Sequence, residues 1–270
     1  MYKNRKKPRF LSDYTRMKEK GEKIAVLTAY DYLMALILES SNVDMILVGD
    51  SVAMVFSGHG NTLPVTLDEM IYHAKAVCRG ARETPVIVDM PFLSFQISVE
   101  ETVRNCGRVL KETNAMAVKI EGGEEIIPAI SALNRASIPI MGHLGLTPQS
   151  IHKTGGYHLQ GRSPEQREIL LKDAGLLQEA GCFSIVLEMI PSELAAEISG
   201  NLQIPTIGIG AGPSCDGQVL VLPDMLGLNE GFEPKFLKKY AELGGEVRES
   251  VSRYVQEVRS GEYPADDQSY

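Results

Sequence analysis

The chain has 270 residues, a formal net charge of −8 and 44% apolar content. That length suits one domain of the size of a (β/α)8 barrel, and the apolar share supplies a full core. The acidic balance argues against nucleic acid as a partner, and no apolar run reaches the roughly 18 residues that a membrane helix needs.

The basic start, Lys3 to Arg9, reads as a solvated arm with no apolar segment behind it, which argues against a secretory signal. Residues 11–22 carry a helical pattern stopped at Gly21. Residues 24–28 are a buried-strand candidate, and residues 31–40 a helix with Leu33, Leu36, Ile37 and Ser40 at helical spacing. The second strand is Ile46-Leu47-Val48, ending in Gly49-Asp50-Ser51, with a polar loop at 57–64. Thr66 and Glu69 have capping-box spacing ahead of a helix to about Arg82, and Ser98 and Glu101 repeat it ahead of a helix to about Glu112. Between them lies a third strand, 86–89. The fourth strand spans 116–120, a helix 124–135, and the fifth strand 140–143. A Gly-rich loop at 144–162 carries His152, Tyr157 and His158. Ser163-Pro164-Glu165-Gln166 then opens a helix that Gly181 stops. Strand six is 183–187, followed by a helix from Pro191 to Ile198; strand seven is 205–209 and strand eight 219–222. A final helix spans about 235–259, before ten polar residues that read as frayed.

Eight strands alternating with helical patterns predict an α/β (β/α)8 TIM barrel, one domain over residues 1–270, with an open doubly wound sheet as the other arrangement. The four cysteines, Cys78, Cys106, Cys182 and Cys215, have no zinc or thioredoxin spacing and read as reduced thiols of a cytoplasmic protein. Cys215 lies in a polar loop, the setting that would suit a nucleophile.

Several strands deliver polar groups at their C-terminal ends, where a barrel binds its ligands. Asp50 and Asp89 each follow an apolar run, with Glu121 at a third strand end. Crowded carboxylates repel unless a cation lies among them or one is protonated, and an all-oxygen set favours Mg2+; the competing reading is that each Asp caps the next turn. Lys119 and Glu121 point the same way on an extended strand, to serve a substrate carboxylate and a metal, or simply to pair with each other or across strands. Glu188 follows an apolar run; apolar surroundings suit a carboxylate to proton abstraction, although it could equally anchor a loop. His143 ends strand five, to bond a substrate oxygen or as a satisfied barrel histidine. The loop Gly208-Ile209-Gly210-Ala211-Gly212 is a weak phosphate-loop match. The residues alone thus point to a barrel whose mouth holds a hard metal ion and a small acidic substrate.

The chain also resembles the ketopantoate hydroxymethyltransferase family over about residues 8–260. The resemblance is carried by Leu27-Thr28-Ala29-Tyr30-Asp31, Val48-Gly49-Asp50-Ser51, Thr62-Leu63-Pro64-Val65-Thr66, Val118-Lys119-Ile120-Glu121-Gly122-Gly123, the run from Met141 to Ser150, and Ile204 to Gly212 with Cys215-Asp216-Gly217-Gln218. Met90, Leu93 and Phe95 stand where the family pattern has Leu, Gly and Tyr. The resemblance implies a barrel of the phosphoenolpyruvate/pyruvate superfamily. It implies transfer of a one-carbon unit from 5,10-methylenetetrahydrofolate to 3-methyl-2-oxobutanoate in pantothenate biosynthesis, by a homodecamer. It implies that Asp50, Asp89 and Glu121 bind Mg2+, that Asp50, Ser51, Asp89 and Lys119 bind the oxo acid, and that Glu188 accepts a proton, with His143 an active-site histidine. A Mg2+-dependent carbon–carbon lyase acting on an oxo acid, and a non-catalytic oxo-acid-binding barrel, are the alternatives.

Overall fold

Eight short runs, mostly apolar, close into a barrel: β1 (Ile24–Thr28), β2 (Met45–Val48), β3 (Val86–Asp89), β4 (Ala117–Glu121), β5 (Ile140–Gly145), β6 (Ser184–Glu188), β7 (Thr206–Ile209) and β8 (Gly217–Leu220). Each pairs parallel with the next, and β8 closes on β1, so the closed barrel replaces the open-sheet alternative. The computed structural model describes residues 10–270; the basic start at Lys3 to Arg9 lies outside the described residues. The chain divides into two compact units, one ending at Val221 and one spanning Leu222–Tyr270, where the sequence reads as one domain. No helix among the described residues is long and apolar enough to cross a membrane.

The helices of the barrel unit are α1 (Leu11–Glu19), α2 (Tyr32–Ser40), α3 (Val52–Val55), α4 (Leu67–Gly80), α5 (Val99–Thr113), α6 (Ile127–Arg135), α7 (Ile151–Thr154), α8 (Pro164–Ala180) and α9 (Ser192–Asn201). Local chemistry sets their starts. Thr66 and Glu69 form the full reciprocal box ahead of α4, and Ser163 with Gln166 does so ahead of α8. Ser98 caps α5 by accepting from the Glu101 amide, and Asp31 caps α2 by accepting from Met34.

One face differs from expectation. Leu33 and Ile37 of α2 are 65% and 52% exposed, while Ala35 and Leu38 are buried, because α4 packs on the Ala35 side. The last strand is also displaced: it starts at Gly217, level with Ile24 of β1, and Leu222 already belongs to a helix.

Alternation along the strands builds the core. Ile24, Val26, Met45, Leu47, Ile87, Ala117, Met141, Val186, Ile207 and Val219 pack inside the barrel, together with Tyr14 and Met17 of α1. That helix plugs the barrel. Tyr14 is fully buried and its hydroxyl donates to the Asp44 carbonyl at 2.6 Å. Lys18 Nζ reaches the carbonyls of Ser199 and Ile204 and the Asp216 carboxylate at 2.7, 3.1 and 2.9 Å. All three partners lie in segments just before β7 or β8, so α1 closes the N-terminal end of the barrel.

The second unit holds α10 (Leu222–Met225) and α11 (Leu243–Ser260). The final helix therefore begins at Leu243 rather than near residue 235. Arg248 holds Glu230 through two bonds of 2.6 Å, and a short 3-10 turn, Asp266–Gln268, lies within the polar tail.

Candidate active site

The alternation that builds the apolar core also builds what stands above it. On β4, Ala117 belongs to the core; two and four residues on, Lys119 and Glu121 face the same way near the strand's C-terminal end. Parallel register sets their neighbours. Asp89 is level with Lys119, Glu121 with His143, and Gly145 with Glu188. The barrel mouth thus collects Asp50, Asp89, Lys119, Glu121, His143 and Glu188, as the sequence predicts.

Lys119 Nζ donates to Asp89 Oδ1 at 2.7 Å. The other Asp89 oxygen accepts the Asp50 amide at 3.1 Å. Asp89 thus bridges Lys119 and the end of β2 instead of capping a helix, and the partner of Lys119 lies across strands rather than at Glu121. His143 stands between two carboxylates: Nδ1 is 3.4 Å from Glu121 Oε1 and Nε2 3.3 Å from Glu188 Oε2. Neither approach is aligned as a hydrogen bond, which leaves both ring nitrogens and Glu121 Oε1 without such a partner. Ser51 Oγ shares a hydrogen bond of 2.8 Å with Tyr30 Oη. A Cβ on Gly49 would lie 2.8 Å from Ser51 Oγ and 3.6 Å from Asp89 Oδ2, so the missing side chain keeps these two groups beside one another.

Charge in the mouth is lopsided. Burial, then the charges of Asp89 and Glu121, push the Asp50 carboxyl up to about 8. Burial acts against the Lys119 charge, but Asp89, Glu121 and Asp50 outweigh it and hold the ammonium above its ordinary range. Burial and Lys119 act against a charged His143; Glu121 and Glu188 outweigh them and raise it to about 9. Asp50, Asp89, Glu121 and Glu188 face two cations, Lys119 and His143; an excess of two negative charges is reached only once Asp50 loses its proton, which a bound cation would favour.

That excess and the carboxylate oxygens fit a hard divalent cation such as Mg2+ in kind and in charge. Glu121 Oε1, buried and without a hydrogen bond though 3.4 Å from His143 Nδ1, is a candidate ligand atom. Among the described residues, no three His, Cys, Asp or Glu side chains are already drawn together as a metal-holding group, so the carboxylates would have to close inward around an ion.

The sequence reading singles out no role for Gln149, which is buried in the 3-10 turn Pro148–Ser150 after β5. Its side-chain amide donates to Asp50 Oδ2 at 2.9 Å and to the Met90 carbonyl at 2.8 Å, and its main-chain amide donates to Glu121 Oε2 at 3.1 Å. Loop amides have no periodicity; the only signal is its place in the run from Met141 to Ser150. Tyr157, in the same loop, donates to Met54 Sδ of α3 at 3.7 Å. Burial and the charges of Asp50, Glu188 and Glu121 raise its hydroxyl pKa, which places the ring near the mouth. Cys215 is not a nucleophile in waiting: it is buried, and burial raises its thiol.

A closed parallel barrel with buried acidic and basic groups at the C-terminal ends of its strands is the layout of a (β/α)8-barrel enzyme. Solved structures agree on the fold. 2,3-Dimethylmalate lyase, a PEP mutase/isocitrate lyase superfamily member, matches with a TM-score of 0.60 at 18% identity, over 96% of this chain and 91% of its own. Phosphonopyruvate hydrolase in complex with oxalate and Mg2+ matches with a TM-score of 0.61 at 10% identity, over 96% and 93%. The sequence goes further. The ketopantoate hydroxymethyltransferase family profile matches residues 9–266. The 3-methyl-2-oxobutanoate hydroxymethyltransferase of Chlorobaculum parvum is 58% identical over 94% of this chain and 93% of its own. That of Pelobacter propionicus is 56% identical over 96% of each. The chain belongs to the ketopantoate hydroxymethyltransferase family.

Proposed function

We propose that the chain transfers a hydroxymethyl unit from 5,10-methylenetetrahydrofolate to 3-methyl-2-oxobutanoate, giving 2-dehydropantoate and tetrahydrofolate with water supplying the hydroxyl oxygen. The observation that carries this reading is one barrel mouth that joins a buried Lys119–Asp89 pair to Asp50, Glu121 and, across His143, Glu188. Asp50, Asp89 and Glu121 would hold Mg2+. Once bound, the ion supplies a Lewis acid for the oxygens of the oxo acid.

The residues of the chain do the rest. Lys119 offsets the substrate's carboxylate charge. Ser51, oriented by Tyr30, fixes the direction of the substrate. Glu188, whose side chain is 18% exposed and so within reach from the mouth, takes the proton from C3. Water takes the methylene carbon from both folate nitrogens as formaldehyde, each nitrogen gaining a proton; the electron pair released at C3 then bonds to that carbon, and its oxygen becomes the hydroxyl by taking back the proton held at Glu188. His143 stays charged beside Glu188. The loops at 57–64 and 144–162 shield the site from bulk water, which would return a proton to C3 and carry off the one-carbon unit; the approach of Tyr157 to Met54, in the helix before the first loop, supports that role. The family resemblance carries a homodecamer in the cytoplasm, and the exposed Leu33 and Ile37 are apolar surface of the kind self-association covers.

The test is exchange of the C3 proton of 3-methyl-2-oxobutanoate into deuterated water, with and without tetrahydrofolate. Exchange is expected with Mg2+, not with EDTA, and slowed about 100-fold or more in Glu188→Gln. Exchange at the wild-type rate in that variant removes Glu188 as the base. Absence of exchange in wild type under every condition removes the oxo acid as substrate.

A further inference from the structure

Gln149 holds two of the carboxylates at the mouth, each by one oxygen. Its side-chain Nε2 holds Asp50 Oδ2, and its main-chain N–H holds Glu121 Oε2. The second oxygen of Glu121 is the buried one that has no hydrogen-bond partner. The Gln149 amide is itself fixed. Nε2 also donates to the Met90 carbonyl at 2.8 Å, and Oε1 accepts from Gln96 Nε2 at 3.1 Å. Those contacts set which end of the amide faces Asp50, and they tie the segment after β3 to the segment after β5.

A neutral amide is the chemically telling choice. A lysine or arginine here would also orient Asp50, but it would cancel charge that a cation needs. Glutamine fixes direction and leaves the charge in place. With both of its side-chain polar atoms committed to protein groups, Gln149 has none left for substrate chemistry.

We infer that Gln149 is a positioning residue. It turns the remaining oxygens of Asp50 and Glu121 toward the ligand, and it makes that geometry depend on the folded state of the 144–162 loop. Ligand binding at the carboxylates and ordering of the loop are then two faces of one equilibrium. The inference rests on the proposed reading of the mouth as a metal and oxo-acid site.

The test compares full-length wild type, Gln149→Met and Gln96→Met. Methionine keeps the length of the glutamine and the main-chain N–H but removes the side-chain donors. Three readouts are taken: Mg2+ affinity by calorimetry with the metal alone, KM against kcat for the oxo acid, and amide hydrogen exchange of the metal-free protein. Gln149→Met is expected to weaken Mg2+ binding about tenfold or more. It should raise KM for the oxo acid in step and speed exchange at the amides of Gln149, Ser150 and Gly156. Gln96→Met should move all three in the same direction by less. Unchanged Mg2+ affinity together with unchanged loop exchange in a folded Gln149→Met protein overturns the inference. Should that variant fail to fold, the same two readouts in Gln96→Met decide. A wild type that binds no Mg2+ removes the metal reading, and loop exchange in the metal-free variants then decides the role of Gln149: faster exchange upholds it, and an unchanged rate overturns it.

Discussion

Asp89 and Lys119 face each other at 2.7 Å with both side chains only 5% exposed. Removing one partner of such a pair leaves a buried charge uncompensated, at a cost of about 3–5 kcal/mol. Lys119→Met is expected to destabilise the metal-free protein by that amount in urea denaturation, because it leaves Asp89 beside Asp50 and Glu121. Adding Asp89→Leu should recover part of the loss. If the double variant is no more stable than the sum of the two single losses predicts, the pair is not a coupled unit.

His143 is raised to about 9 by carboxylates on either side, so it carries its charge at neutral pH. His143→Gln removes that charge from between Glu121 and Glu188. We expect kcat to fall about tenfold or more, equivalent to about 1.4 kcal/mol of barrel-mouth electrostatics, with a smaller change in KM for the oxo acid. Loss of the cation favours protonation of the neighbouring carboxylates, so the acidic limb of the kcat profile should move to higher pH. Steady-state kinetics between pH 5 and 9 would show it; an unchanged kcat would make His143 a packing residue.

Gly145 has φ of +95°, and a Cβ there would run into the Glu188 carbonyl. The backbone strain alone is worth about 1–3 kcal/mol. Gly145→Ala should therefore lower both the melting temperature and kcat, since the carbonyl it displaces belongs to the proposed base. A variant that melts earlier yet keeps full kcat would show that the end of β6 tolerates displacement.

Burial holds the thiols of Cys106 and Cys182 up at about 12 and that of Cys78 at about 11, and raises Cys215. Only the thiolate attacks a disulfide reagent, so little of any thiol is reactive at pH 8. All four should react slowly with an aromatic disulfide in the native protein and rapidly in guanidinium. A fast native thiol at Cys215 would restore it as a reactive group.

The strands were legible because each is a short buried run bounded by turn residues, and parallel strands buried on both faces read as continuous apolar stretches. The six mouth residues followed from the same reading, since each ends or extends such a run. What escaped depends on neighbours far away in sequence. Leu33 and Ile37 look like a core stripe until α4 packs on Ala35 instead. Residues 219–222 read as a strand, yet pairing with Ile24 draws the start of β8 back to Gly217. The helix at Val52–Val55 is too short to show a period. Gln149 is a single polar residue in a glycine-rich loop, and its partners Asp50, Met90 and Glu121 come from three other segments.

The plug formed by Tyr14, Met17 and Lys18 can be tested directly. Lys18 bonds two carbonyls and a carboxylate at 14% side-chain exposure, so Lys18→Met should cost about 1.5–3 kcal/mol. Tyr14→Phe, which leaves the Asp44 carbonyl short of one bond, should cost about 1 kcal/mol by urea denaturation.

The filled barrel also has a kinetic meaning. With its interior packed by side chains and its far end covered by α1, the mouth is a single doorway for every reactant and product. On the proposed reading, an oxo acid seated among the carboxylates would lie beneath whatever brings the one-carbon unit, and the occupant nearer the rim would block its exit. The deeper molecule would then have to arrive first and its product leave last, an order imposed by a packed barrel that opens only at its mouth.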